Sequence, residues 1–180
     1  MGRLLLITGG ARSGKSAYAL QRCEQLAESR CFVATSPRLD PEMNERIAAH
    51  QLERRGRGWQ VVEEELNLVQ VLQGLVEHKV ILIDCLTLWV NNLLYAAEQR
   101  GETFSEGAMV LACADLLAAV RSFPGQVCCV TNEVGMGIVP DNPLARHYRD
   151  LIGRCNHSLA AQADEVVLVS CGIPLILKTS

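Results

Sequence analysis

The feature that most constrains this chain is Gly9-Gly10-Ala11-Arg12-Ser13-Gly14-Lys15-Ser16, set directly after the apolar run Leu4-Leu5-Leu6-Ile7. The spacing G-x-x-x-x-G-K-S is that of a phosphate-binding loop (P-loop). Its glycines let successive backbone N–H groups turn inward on an anion, its lysine reaches the β- and γ-phosphates, and its serine hydroxyl can take a place on Mg²⁺. The motif requires a strand before it and a helix after it. Both are read here, the strand over Leu4–Thr8 and the helix over Lys15–Glu28, so the phosphates would also meet a positive helix N-terminus. A chain that begins this way is expected to bind a nucleoside triphosphate.

Apolar runs and helical patterns alternate through the rest of the chain, which predicts an α/β fold with a mostly parallel sheet flanked by helices. Further strands are expected at Cys31–Thr35, Trp59–Glu63, Val80–Ile83 and Val127–Thr131. Helices are expected at Pro41–Arg54, where Asp40 is the N-cap and the proline takes the first position, and at Leu88–Glu98, Ser105–Ser122 and Leu144–Ala163. Val166–Ser170 and Leu175–Lys178, joined through Cys171-Gly172-Ile173-Pro174, predict a closing antiparallel hairpin. With no repeats, low-complexity tracts or linkers, residues 1–180 read as one nucleotide-binding domain, and 49% hydrophobic content is enough for a full core.

Seventeen basic against twenty acidic residues give a net charge of −3, with no electrostatic footprint for nucleic acid. No apolar stretch approaches the roughly 20 residues of a membrane span. The apolar start runs straight into the phosphate loop and reads as a strand, not as a leader. The eight cysteines (23, 31, 85, 113, 128, 129, 155 and 171) include no C-x-x-C pair. Most lie in apolar patterns, where cysteine acts as a small hydrophobe. They read as reduced core thiols of a cytoplasmic protein, and not as zinc ligands.

Three places could carry chemistry beside the loop. Val80-Ile81-Leu82-Ile83-Asp84 would put Asp84 at the carboxyl edge of the sheet, on the metal side of the phosphates. Thr131-Asn132-Glu133-Val134-Gly135-Met136-Gly137 should open on the same edge. Glu133 there would align a hydroxyl acceptor, bind the metal indirectly, or belong to an ordinary strand-to-helix loop. On the expected helix Pro41–Arg54, Met43, Ile47, His50 and Arg54 share one face. By itself His50 reads as a core-edge histidine; the sharper alternative is a neutral imidazole free to attack phosphorus, with Arg54 neutralising the triphosphate. His78, His147 and His157 read as surface or helix residues, and Trp59 and Trp89 as packing residues.

Several of these segments together resemble the adenosylcobinamide kinase/adenosylcobinamide-phosphate guanylyltransferase family. The likeness runs in order through Ile7-Thr8-Gly9 to Ser16, Ala34-Thr35-Ser36, Glu45-Arg46-Ile47-x-x-His50 and Asp84-Cys85-Leu86-Thr87-Leu88-Trp89. It continues through Thr131 to Pro140, Leu144-Ala145-Arg146-x-Tyr148-Arg149-Asp150 and Ala163-Asp164-Glu165-Val166. The resemblance implies a RecA-type phosphate-loop core and two reactions of cobalamin assembly. A nucleoside triphosphate, ATP or GTP, phosphorylates adenosylcobinamide; GTP then guanylylates a histidine, and GMP passes to the new phosphate to give adenosylcobinamide-GDP. That histidine corresponds to His50.

The resemblance further implies nucleotide contacts at Gly9, Gly10, Ala11, Arg12, Ser13, Gly14, Lys15 and Ser16, at Ala34, Thr35 and Ser36, at Gln51, Leu52, Glu53 and Arg54, and at Glu63 and Asp84. Mg²⁺ would sit with Ser16 and Asp84, and the chain would assemble as a homotrimer whose nucleotide sites border neighbouring subunits. The chain departs from the family pattern at Gln51, in the longer proline-free stretch Arg54–Trp59, and at Asn156-His157. From the residues alone two other readings stand beside the bifunctional enzyme: a RecA-like nucleotide-dependent switch, and a simple small-molecule kinase in which His50 is idle.

Overall fold

The computed structural model of this protein describes residues 1–37 and 56–179. Among the described residues, seven strands form one sheet in the order β3-β2-β4-β5-β1-β6-β7. They are β1 (Arg3–Gly9), β2 (Arg30–Ala34), β3 (Trp59–Glu63), β4 (Val80–Asp84), β5 (Gln126–Val130), β6 (Glu165–Ser170) and β7 (Ile173–Thr179). The first six run parallel, and β7 returns antiparallel along β6. The described helices are α1 (Lys15–Leu26), α2 (Leu68–Gly74), α3 (Leu86–Gln99), α4 (Glu106–Ser122) and α5 (Pro143–Gln162).

The continuous apolar runs of β1, β4 and β5 have their cause in burial on both faces. Successive side chains of a strand point to opposite sides. Leu5 and Ile7 therefore pack with Ala19, Leu20 and Cys23 of α1. Leu4 and Leu6 face the other way, into a larger cluster built with Leu72 of α2, Trp89 of α3, Leu116 of α4 and Ile152 of α5. Sequence caps set helix starts: Ser105 accepts from the Ala108 N–H at α4, and Asn142 accepts from Leu144 and Ala145 at α5, with Pro143 at its first position.

The parallel sheet and the closing hairpin agree with expectation, and most element ends lie within two residues of it. The hairpin turn is tighter than expected. Cys171 (φ 53°) and Gly172 (φ 79°) alone make it, in the sense that matches strand twist, and Ile173 and Pro174 already belong to β7. Helix α2 was not anticipated. His78 is a correction: it is buried, with Nε2 3.0 Å from Gln60 Oε1 of β3, and does not lie on the surface or on a helix. Trp59 packs edge-to-face on Phe32 at 6.2 Å, and Trp89 is buried with its indole N–H on the Leu66 carbonyl, so both are packing residues. All eight cysteines are free; six are buried, Cys85 is half-buried and Cys171 is exposed. No described helix is long and apolar enough to cross a membrane. The expected helix Pro41–Arg54 lies outside the described residues.

Candidate active site

The loop between β1 and α1 has the backbone that its glycines predict. Gly14, the N-cap of α1, sits at φ 92°. A side chain there would be strained, and its Cβ would stand 3.2 Å from Gly172 Cα. The first α-helical bond runs from Tyr18 N–H to the Gly14 carbonyl at 3.0 Å, which leaves the preceding N–H groups of the helix start without intrahelical partners. Among the described residues no side chain caps this end, and no acidic residue lies in its first turn. An anion would supply what the chain leaves out. Lys15 is buried and donates from Nζ to the Gly10 carbonyl at 2.9 Å. Burial pushes its pKa down, while the carboxylate of Asp84 works in the opposite direction.

One register row gathers the candidate residues across the sheet. Glu63 pairs with Ala34, Ala34 with Asp84, Asp84 with Val130, and Val130 with Ile7, two residues before the phosphate loop. At about 4.8 Å per strand, Asp84 stands about 10 Å along the row from β1 and Glu63 about 19 Å. Thr35 ties this edge to α3: its Oγ1 accepts from Cys85 N–H at 2.8 Å and donates to the Cys85 carbonyl at 2.7 Å. The Thr35 carbonyl in turn accepts from Asn92 at 2.9 Å.

The loop after β5 is rooted on the same edge. Glu133 N–H donates to the Gly9 carbonyl at 3.0 Å, and Asn132 N–H to Thr87 Oγ1 at 2.9 Å. Asn156, buried on α5, accepts from the Thr131 hydroxyl at 2.7 Å and donates to the Asn132 carbonyl at 3.0 Å. Tyr148 of α5 donates to the Thr87 carbonyl at 3.1 Å, and burial raises its pKa to about 12. Among the described residues, buried side-chain atoms without a hydrogen bond include Thr8 Oγ1, Ser13 Oγ, Ser36 Oγ and Asn132 Oδ1. All four lie at the carboxyl ends of β1, β2 and β5 or in the loops that follow them. Buried polar atoms are rarely left unpaired without a ligand or water to explain them.

The family model described as cobinamide kinase / cobinamide phosphate guanyltransferase matches residues 5–177. The chain belongs to this family. Its relatives in the cobinamide kinase / guanyltransferase family include the bifunctional adenosylcobalamin biosynthesis protein CobU of Salmonella typhimurium, 44% identical over 97% of this chain and 99% of that protein. The Escherichia coli protein of the same name is 41% identical over the same shares. The CobP protein of Pseudomonas aeruginosa is 37% identical over 96% of each chain. Among solved structures, flagellar accessory protein FlaH from Methanocaldococcus jannaschii superposes with a TM-score of 0.54 at 13% identity, covering 99% of this chain and 79% of that one. A KaiC-like protein from Pyrococcus horikoshii gives 0.55 at 17% over the same shares. At such identities these two establish the phosphate-loop fold alone, so the reading as a RecA-like switch draws no support from them.

For this cobinamide kinase / guanyltransferase family member, the fold brings Gly9–Ser16, Ala34–Ser36, Glu63 and Asp84 to one edge of the sheet. His50, Gln51, Leu52, Glu53 and Arg54 lie outside the described residues. The residues that brace the site, Thr87, Asn92, Tyr148 and Asn156, were not singled out for that role from the sequence. All four stand on helices, among apolar neighbours, and their polar atoms reach residues far away in the chain.

Proposed function

We propose that this chain phosphorylates the hydroxyl of adenosylcobinamide with a nucleoside triphosphate and then transfers GMP from GTP to the new phosphate, through a guanylylated His50. The observation that carries this reading is the cluster of unpaired buried atoms of Thr8, Ser13, Ser36 and Asn132 around an uncapped helix start and a buried lysine, in a chain of this family. In the first reaction the acceptor oxygen attacks the γ-phosphorus and the nucleoside diphosphate leaves. In the second, a neutral imidazole nitrogen of His50 attacks the α-phosphorus of GTP, a P–N bond forms and pyrophosphate leaves. The acceptor phosphate then attacks that phosphorus, the P–N bond breaks, and His50 is restored. The covalent intermediate divides one displacement into two easier ones.

In this reading the N–H groups of the loop and Lys15 hold the β- and γ-phosphates in both reactions, once around the transferred group and once around the leaving group. Lys15 exchanges its bond to the Gly10 carbonyl for one to phosphate. Ala34, Thr35, Ser36, Glu63 and Gln51–Arg54 contact the nucleoside end; the span of about 19 Å from β1 to Glu63 suits that end and not the phosphates. The hydroxyl of Ser16 and the carboxylate of Asp84 are hard oxygen donors of the kind that hold Mg²⁺ together with substrate phosphates. Bound there, Mg²⁺ would neutralise charge on the phosphate oxygens. Ile173, Leu175, Ile176 and Leu177 of the edge strand β7 are each more than half exposed, which supports self-association. The homotrimer and the cytoplasmic location are proposed from the family resemblance.

GTP labelled at the α-phosphate tests the transfer half. After denaturation, acid-labile and alkali-stable label is expected on the protein, and none on His50→Ala. Wild type that takes up no label would sink that half of the reading. Label from a γ-labelled triphosphate, found on the corrinoid, tests the kinase half.

A further inference from the structure

A cavity of about 370 Å³ opens beside the loop that follows β5. Helix α5 gives it Arg149, Asp150, Gly153, Arg154 and His157, α4 gives Glu106, and the loop gives Gly135. Its volume falls in the range of small-molecule sites. Gly153 is the unexpected residue here. Glycine is among the poorest helix formers, yet it stands inside a helix of twenty residues where, among the described residues, its Cβ would meet no atom within 4 Å beyond the helix's own backbone. No packing contact among the described residues calls for it; what its bareness preserves is open space. Arg149, Gly153 and His157 follow one another at steps of four along one helix face, so the two flanking side chains border a gap at the glycine.

The charges decide what could fill that gap. Two arginines face two carboxylates: Arg154 donates to Glu106 at 2.7 and 3.0 Å, and Arg149 lies 3.6 Å from Asp150. A phosphate would meet both carboxylates there and be opposed by them. Neutral amides, which donate and accept at once, match such a mixed lining.

Reach ties the cavity to the reaction centre. Glu133 is bonded to Gly9 of the phosphate loop, and the two residues from Glu133 to Gly135 span at most about 7 Å. Asn156, one turn from Gly153, fixes the root of the same loop. Directly after Gly135 come the exposed apolar side chains of Met136 and Ile138. An amphipathic ligand with amide arms and an apolar ring suits this sequence of surfaces, and cobinamide is one.

We infer that this cavity seats the peripheral carboxamide arms of the cobinamide acceptor, with the ring against Met136 and Ile138, while the reacting hydroxyl or phosphate reaches the phosphate loop. The inference rests on the function proposed above. Gly153→Leu and Arg149→Gln test it, with cobinamide binding measured by equilibrium dialysis without nucleotide, and KM measured for adenosylcobinamide in the kinase step and for its phosphate in the transfer step. Both acceptors are expected to lose affinity in parallel, tenfold or more, with the effect on KM rather than kcat. Gly153→Leu should unfold no earlier than wild type, because leucine favours the helix. Unchanged acceptor constants overturn the inference, and so does a loss confined to the phosphorylated acceptor. A change in sedimentation mass with Gly153→Leu also overturns it, since the glycine would then serve a subunit contact. If Gly153→Leu does not fold, Arg149→Gln decides alone. Wild type that binds cobinamide, with both variants impaired, yet takes no label from GTP, supports the cavity and overturns the transfer step instead.

Discussion

The N–H of Gly172, in the turn between β6 and β7, donates a 2.8 Å hydrogen bond to the carbonyl of Ser13 in the phosphate loop. The closing hairpin thereby clamps the loop from the far end of the chain. Because Gly172 sits at φ 79°, a side chain there adopts the left-handed conformation at a cost of about 1 kcal/mol or slightly more. Gly172→Ala is expected to lower Tm by a few degrees and to weaken GTP binding severalfold. Titration with a fluorescent GTP analogue checks the second effect; unchanged affinity would separate the hairpin from the loop.

Lys15 illustrates a cost carried for binding. Burial holds its pKa below that of a free lysine, against the pull of Asp84. In the window between the folded value and the unfolded 10.5, the unfolded chain binds more protons, so stability rises with pH there; below the window the full penalty remains. Lys15→Met removes the buried charge. At pH 7 and without nucleotide we expect a gain of about 1 kcal/mol, or about 2–4 °C in Tm for a chain of this size, together with loss of GTP binding. Calorimetry of the two apo proteins decides it, and a fall in Tm would contradict it.

Asn156 joins Thr131 and Asn132 inside the protein. Asn156→Ala leaves the hydroxyl of one and the carbonyl of the other without partners. About 2–3 kcal/mol of stability should be lost. The loop root would also shift, so transfer to the acceptor should slow more than GTP binding weakens. Equal losses in both would mean that the residue supports the fold alone.

Asp164 lies in a segment shared with the family, and its role here is structural. Desolvation would raise its pKa, but the Leu4 N–H at 2.7 Å and Arg121 at 2.8 Å outweigh that and hold it below the ordinary carboxylate value. A depressed carboxylate contributes stability that is complete above the unfolded pKa, near pH 4, and is lost as pH falls through the folded value. Asp164→Asn should cost about 1 kcal/mol at neutral pH, the group being partly open to water, and should flatten the decline of Tm below pH 4. An unaltered acid limb in the variant would rule this out.

Much of the fold was legible because its signals are local. The buried strands read as unbroken apolar runs, and the phosphate loop fixes a strand on one side and a helix on the other. Helix α2 was missed because Leu68–Gly74 has only seven residues, too few to show a helical period. His78 was misplaced because one histidine carries no pattern; its burial depends on Gln60 in another strand. The site divides in the same way. Glycines, Lys15 and Asp84 announce themselves by spacing, whereas the braces are tertiary, as with the Leu4–Asp164 bond between residues 160 apart. Such pairings arise only once the chain is folded. The cavity around Gly153 was hidden for a further reason, since empty space has no letter in a sequence.

The unpaired atoms of Thr8, Ser13, Ser36 and Asn132 also bear on the life of the chain in a cell. A ligand that satisfies them binds only the folded form, and at one hundred times its Kd it adds about 2.7 kcal/mol to stability. Bound nucleotide therefore lowers the share of opened, protease-sensitive copies.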